Sequence, residues 1–383
     1  MKKKILMGLS YLAVALCACS VTLYLVRRQI PSTKLIALES LILELYPDEV
    51  DQTAIEDAAA NAMVEALGDR WSYYVPASDL EGLQESTDNS YVGIGITLEE
   101  VQEDGTFRVR SVVPGGPADQ AGILAEDRLL KVNEESVEDL TMEEIAARIK
   151  GEAGTQVTLT VLRQGETATM TVTRNQVNVV VAKGNLINGC IGYVRIENFA
   201  SRSAEETIAV IEDLIAQGAD RLLFDVRFNS GGYEHELVEI LDYLLPEGNL
   251  ISNADKEGKE ERFSSDAKSL NLPMAVLINE DSYSAAELFA ADLSEYGAAK
   301  TVGSNTVGKG FYQNLFQLGD GSAVNLSVGR YYTAKGENLE GVGLTPDVKV
   351  DMTDEDYFRL YYGQLPQEED VQLQAAVALL MQE

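Results

Sequence analysis

Apolar and polar positions change their period several times along the chain. After Lys2, Lys3 and Lys4 comes an uncharged stretch from Ile5 to Val26, closed by Arg27 and Arg28. As a helix it spans about 33 Å, against a hydrocarbon core of about 30 Å. It runs well past Ala13-Val14-Ala15, which predicts an uncleaved anchor over residues 1–30 rather than a cleaved leader. The lysines favour a cytoplasmic N-terminus with the rest of the chain outside. Leu35, Leu38, Ile42 and Leu45 then recur at helical spacing, and Ile55, Ala58, Ala59, Ala62, Met63 and Ala66 repeat the pattern up to Gly68. From Tyr91 the period becomes that of strands. Gln156–Leu162 and Thr167–Thr173 alternate and predict a hairpin turning at Gln164-Gly165. From Gly192 strands and helices alternate: Tyr193–Phe199, a helix opened by a Ser203/Glu206 capping box, the buried strand Arg221–Val226, a helix over 234–245, the buried strand Met274–Asn279, and a helix over Ser284–Tyr296. That order predicts a sheet covered by helices. Residues 365–383 read as a short amphipathic helix.

Composition narrows the function. The chain has 383 residues, with 30 Lys+Arg against 62 Asp+Glu and a net charge of −32. Such an acidic balance argues against nucleic-acid binding, which needs clustered basic residues. One histidine, no CxxC pair and no HExxH argue against a zinc site, and no cofactor is implied. Cys17, Cys19 and Cys190 offer no disulfide framework, so Cys190 is expected to be buried.

Three segments carry candidate chemistry. Asp225-Val226-Arg227-Phe228-Asn229-Ser230-Gly231-Gly232 follows an apolar strand, and its glycines can bend the backbone and expose N–H groups to an oxyanion. Spacing alone leaves a plain tight turn equally open. Asp281-Ser282-Tyr283-Ser284-Ala285-Ala286-Glu287 follows the next strand. It reads either as an ordinary capped helix start or as a serine nucleophile whose developing charge faces a helix N-terminus. Gly308-Lys309-Gly310-Phe311-Tyr312-Gln313 places a lysine between glycines. An exposed lysine stays charged, whereas a buried one loses its proton more easily and can act as a base. Gly303-Ser304-Asn305-Thr306-Val307-Gly308-Lys309 also matches the first seven positions of a phosphate loop, but Gly310 stands where its Ser or Thr is needed. His235 reads as structural or solvent-exposed.

Taken together these segments resemble those of the C-terminal processing peptidases, PDZ-containing serine proteases with a Ser-Lys dyad. The family's D-L-R-x-N-P-G-G is similar to Asp225–Gly232, its S-A-S-E to Ser284–Glu287 and its G-K-G-x-x-Q to Gly308–Gln313. Val226, Ser230 and Ala286 depart from the pattern without removing a reacting atom. The resemblance covers roughly residues 35–380. It implies an α/β core of the crotonase/ClpP-like type with an inserted β-rich PDZ domain and helical segments at both ends. The divisions are an anchor (1–30), a helical segment (31–90), PDZ (91–175), peptidase core (176–350) and a C-terminal helical segment (351–383). It further implies Ser284 as nucleophile, Lys309 as base, Gln313 orienting Lys309, Gly232 and Ala285 as oxyanion donors and Glu287 as a supporting acid. Tyr91, Val92, Gly93, Ile94, Gly95 and Ile96 would form the PDZ peptide-binding loop.

The implied activity is a membrane-anchored endopeptidase at the bacterial cytoplasmic membrane, facing outward and cutting extracytoplasmic proteins near their C-termini. Its partner is a protein or peptide with a free apolar C-terminus, recruited by the PDZ domain, which could also gate the site. The competing class is a membrane-tethered PDZ scaffold or sensor built on a degenerate peptidase core. A complete Ser284, Lys309 and Gln313 set argues against it. The apolar faces of 33–68 and 365–383 fit either a homodimer or packing on their own domain.

Overall fold

The computed structural model describes residues 33–101 and 106–382. It divides into two units, the first ending at Tyr74 and the second running from Val75. The expected anchor, with Cys17 and Cys19, lies outside the described residues. Among those described, no helix is long and apolar enough to cross a membrane.

The first unit contains helices α1 (Thr33–Leu45) and α2 (Gln52–Glu65). Pro47-Asp48 separates them, and Asp51 caps α2 by accepting from Ala54 N at 3.1 Å. The helical spacing of the sequence therefore holds here, with Leu38, Leu41 and Leu45 exposed.

In the second unit, strands β1 (Ile96–Val101), β2 (Thr106–Val112), β3 (Arg128–Val132), β4 (Gln156–Arg163) and β5 (Glu166–Thr173) pair in that order, all antiparallel. Between β3 and β4 lies helix α3 (Met142–Ile149), opened by a Thr141/Glu144 capping box. Alternation along β4 turns Val157, Leu159 and Val161 onto Ile145 and Ile149 in a closed core. The β4–β5 turn has φ of 52° at Gln164 and 86° at Gly165, as a two-residue loop matched to strand twist requires. Ser90–Gly93 belongs to another pairing, with Asn175–Asn178. The segments entering and leaving the module thus run side by side.

The peptidase-like region is a layered α/β structure. Its elements run β6 (Ala182–Ile187), β7 (Ile191–Ile196), α4 (Ser203–Ala216), β8 (Arg221–Asp225), α5 (Glu234–Leu244), β9 (Gly248–Asp255), β10 (Glu260–Ser265), β11 (Met274–Ile278), α6 (Ala285–Glu295), β12 (Ala299–Gly303), β13 (Phe311–Gln317), β14 (Ala323–Tyr332), β15 (Val348–Lys349), α7 (Asp354–Tyr361) and α8 (Val371–Leu380). Among the described residues, the main sheet has order β6-β7-β8-β11-β12-β15 and is parallel from β7 onward. Strands β10, β9, β14 and β13 form an antiparallel sheet in that order.

Strand β11 is buried at every position because both sheet faces are covered. Leu222, Phe224, Val276 and Ile278 pack with α4, α5 and α6. Leu223, Ala275, Leu277 and Val302 pack under Leu373, Ala376, Val377 and Leu380 of α8. Each fully buried Leu or Val there contributes roughly 1.5–3 kcal/mol, so α8 is an integral layer. Its N-cap, Asp370, also meets Arg227 at the end of β8.

Two local expectations change. Ser203 does not cap α4. The residue before it, Arg202, has φ 73°, and the Glu236 carboxylate of α5 accepts from Arg202 N (2.8 Å), Ala204 N (2.7 Å) and Ser203 Oγ (3.2 Å). A carboxylate from a neighbouring helix meets the exposed N–H groups better than the hydroxyl does. Cys190 is half-buried, 4.0 Å from the Met381 sulfur, rather than buried.

Candidate active site

Strands β8, β11 and β12 are parallel neighbours, so the segments leaving their C-terminal ends emerge along one edge of the sheet. Those segments are 226–232, 279–284 and 304–310. Sequence motifs about 25 to 50 residues apart thereby become adjacent, at the end of a parallel sheet where binding sites form.

Ser284 is the N-cap of α6, with φ 60° and ψ −124°. Thr141, the N-cap of an ordinary capping box in the same chain, has φ −79° and ψ 164°. A capping serine needs only extended backbone. A non-glycine residue held at positive φ stores about 1–3 kcal/mol, and such strain concentrates at functional sites. The turn is pinned from below: Ser282 Oγ donates to Val226 O at 2.7 Å, and Tyr283 N donates to Asn229 O at 3.1 Å.

Glu287 ties this turn to the lysine segment. Its side chain is fully buried. Oε2 accepts from Ser284 N and from Lys309 N, both at 2.9 Å. Oε1 accepts from Gly308 N at 2.8 Å and from Thr306 Oγ1. Burial pushes its pKa above the usual glutamate value, and these donors pull against that. Two nitrogens bonded to one oxygen put the Ser284 and Lys309 main chains within about 6 Å of each other. The Lys309 ammonium lies 5.8 Å from the Tyr283 ring centroid.

The glycine segment closes the other side. A Cβ on Gly231, whose φ is 86°, would fall 2.7 Å from Ser284 Cβ and 2.9 Å from Ala285 N. A Cβ on Gly232 would fall 2.1 Å from the Phe199 carbonyl carbon. Only glycines let this loop approach so closely. Gly231 N donates to Asn229 Oδ1, and the neighbouring N–H of Tyr233 donates to Phe199 O. The N–H groups of Gly232 and Ala285 have no hydrogen-bond partner among the described residues. Ala285 is the first residue of α6, where N–H groups and the helix dipole both favour negative charge.

The structure brings Ser284, Ala285, Glu287, Gly231 and the Lys309 main chain together. Gln313 lies on β13, with Nε2 donating to Phe311 O and Ser327 Oγ, both at 3.0 Å. Both amide hydrogens are engaged, which leaves Oε1 as its accepting face. His235 is exposed and stacks on Tyr233. In the PDZ-like module, Ile94 is a core residue, its C=O accepting from Ala118 N. Tyr91 and Val92 sit on the linker strand, and Gly95 O accepts from Val113 N. The phosphate-loop reading of 303–310 ends here: a strand follows instead of a helix, and the N–H groups of Gly308 and Lys309 serve Glu287.

Comparison with known proteins fits this geometry. The model for "Peptidase family S41" matches residues 190–350, and that for "PDZ domain" matches 108–163. The carboxy-terminal processing protease CtpA of Bacillus subtilis is 31% identical over 320 residues, covering 83% of this chain and 68% of that one. A carboxyl-terminal-processing protease of Picosynechococcus is 32% identical over 331 residues, covering 85% and 79%. The chain belongs to peptidase family S41. It is a serine-type peptidase of the carboxyl-terminal processing group. An S41 protease structure from Bacteroides fragilis matches with TM-score 0.54 at 17% identity, over 92% of this chain and 98% of that one, and shows the common fold.

Sequence reasoning about this S41 peptidase missed two features. The Asp225–Arg227 pair of the glycine segment is a buried clamp. Arg227 Nη2 lies 2.6 Å from Asp225 and 2.8 Å from Asp370, and Tyr193 OH donates to Asp225 at 2.8 Å. Arg227 Nη1 adds Gln372 Oε1 at 3.0 Å. The clamp docks α8 against the start of the glycine segment. The second is Tyr331 on β14, buried with its hydroxyl donating to Lys309 O.

Proposed function

We propose that this S41 peptidase is a membrane-anchored endopeptidase that cuts extracytoplasmic proteins near their C-termini. Ser284 Oγ attacks the scissile carbonyl and its proton passes to Lys309 Nζ. The tetrahedral oxyanion is received by the N–H groups of Gly232 and Ala285. Lys309 then gives the proton to the leaving amine, and water hydrolyses the acyl-enzyme. Gln313 Oε1 orients the Lys309 ammonium, and Glu287 fixes both reacting segments. The observation that carries this reading is the Glu287 carboxylate holding the Ser284 and Lys309 main chains on one oxygen, beside two unpartnered N–H groups.

The PDZ domain, residues 91–175, recruits a free apolar C-terminus by strand addition and gates the site. Its two linkers support the gating role. Arg202 Nη2 donates to Asn89 O at 2.9 Å and to Val179 O at 2.8 Å. Asn89 also bonds Asn198 and Ser201. Phe199, inside that segment, takes its main-chain bonds from Gly231 and Tyr233. Both PDZ linkers and the oxyanion loop thus rest on residues 198–202. The anchor is residues 1–30, with the catalytic part outside the bacterial cytoplasmic membrane.

The test uses the purified full chain in detergent, with casein and with peptides ending in a free or amidated apolar residue, from pH 6 to 10. The expected result is cleavage that first rises with pH before an alkaline fall, is lost in Ser284→Ala and Lys309→Ala, and falls for amidated ends. Cleavage by Ser284→Ala would overturn the mechanism. Equal rates on free and amidated ends would overturn the recruitment role.

A further inference from the structure

The proposed dyad leaves one buried polar group beside it without a role. Tyr331 is 3% exposed and sits in β14, paired with Asn253 of β9. Its main-chain N–H donates to Gly310 O at 3.2 Å, and its C=O accepts from Asn338 Nδ2 at 2.7 Å. The ring therefore has a fixed base, and its hydroxyl reaches away from its own strand to the Lys309 carbonyl oxygen.

A phenol has one O–H to give. The Lys309 carbonyl can only accept, so the phenol donates to it. A neutral phenol cannot take the Ser284 proton, and burial holds this one neutral by pushing its pKa well above the usual tyrosine value. Tyr331 can hold the main chain of the base but cannot activate the serine.

We propose that Tyr331 is a positioning residue for acylation, anchoring the main chain of Lys309 through its carbonyl. This rests on the Ser284–Lys309 reading above. When substrate enters, the Ser284 O–H bond breaks as Oγ bonds the carbonyl carbon, and the proton goes to Lys309 Nζ. Tyr331 keeps its own proton throughout, and its bond to the Lys309 carbonyl keeps the base where the serine proton will arrive. Losing that hold leaves the chemical groups present and their alignment relaxed, which lowers the rate of the step without changing substrate affinity.

The experiment compares full-length parent, Tyr331→Phe, Tyr332→Phe, Ser284→Ala and Lys309→Ala. It measures kcat and KM on a peptide with a free apolar C-terminus, the pH dependence of kcat/KM, and the rate of labelling by a fluorophosphonate, which reports the serine with its base and needs no peptide recognition. For Tyr331→Phe the expected result is a fall of about tenfold in kcat and in labelling, the size of one lost hydrogen bond. KM stays within about twofold and the alkaline rise stays at the same pH. Tyr332→Phe behaves as parent. Rates are normalised to the folded fraction from melting curves, so a loss explained by unfolding counts against the proposal. Unchanged kcat and labelling in Tyr331→Phe, or a joint shift of KM, pH profile and melting point, would overturn it. Activity in Ser284→Ala would instead overturn the dyad itself.

Discussion

Asp292 gives the sharpest quantitative prediction. It lies on α6, fully buried, two turns beyond Ser284. Oδ1 accepts from Ala334 N at 2.8 Å, while Oδ2 is buried without a hydrogen-bond partner. Burial, with Glu295 nearby, raises its pKa from the usual 3.8 to about 8. Between those values the folded chain keeps a proton that the unfolded chain has released. Stability must therefore fall as pH rises through that window, and the loss is complete above the folded pKa. Each pH unit is worth about 1.4 kcal/mol, so the ceiling across about four units is about 6 kcal/mol. Asp292→Asn mimics the neutral acid and removes the titration. The assay is urea unfolding of parent and variant at matched ionic strength from pH 5 to 9. The difference should move in the variant's favour by about 4 kcal/mol between pH 5 and pH 8, at about 1.4 kcal/mol per unit, and stay level above that. Other acidic groups titrate equally in both chains and cancel in the difference. Parallel curves across the whole range would refute the reasoning.

Other changes test the site directly. Glu287→Gln puts amide hydrogens against a ring of donors, at about 1–3 kcal/mol for each bond lost; melting temperature and fluorophosphonate labelling should both drop. Gly231→Ala places a methyl against Ser284 Cβ at a φ of 86°. It should cost about 1–2 kcal/mol in stability and more than tenfold in kcat, read by urea unfolding and peptide cleavage. Asp370→Ala leaves the buried Arg227 with Asp225 as its remaining carboxylate partner and removes the cap of α8. A loss of about 3–5 kcal/mol is expected in unfolding experiments, and a melting point unchanged from parent would contradict the clamp.

Much of the fold was legible because its signals are local. The alternation in Gln156–Leu162 and Thr167–Thr173 names the hairpin, and Gln164-Gly165 names its turn. The apolar runs at Arg221–Val226 and Met274–Asn279 name strands covered on both faces. The site segments were legible as a joint pattern, since each one alone also fits a turn, a capped helix or a surface lysine. The unread features depend on partners far along the chain. Ser203 carries a capping signature, yet Glu236 fills that place from another helix. Tyr91–Ile96 reads as one unit, but its strand pairs with Asn175–Asn178 while Ile94 turns into the module core. Arg227 stands beside Asp225 in sequence, but its other carboxylate is 143 residues away. Tyr331 sits in an ordinary strand pattern, and nothing local shows that its hydroxyl meets the Lys309 carbonyl.

The two buried carboxylates of α6 divide the electrostatic work of the site. Glu287 faces three main-chain N–H groups and the Thr306 hydroxyl, donors that favour its charged form against the burial that raises its pKa. The charged form fits, and it lies in the first turn, where the positive end of the helix favours it. Asp292 receives a single donor, so the neutral form fits there until about pH 8. A lysine base needs alkaline conditions to lose its proton, and those are the conditions that ionise Asp292. Its ionisation leaves a buried charge on Oδ2 with no hydrogen-bond partner, beside Ala334, which follows the strand carrying Tyr331. Activity in the parent should therefore rise with pH and then fall as Asp292 ionises. Asp292→Asn should keep the rise and lose the fall. A falling limb that persists unchanged in Asp292→Asn would place the alkaline limit in another group.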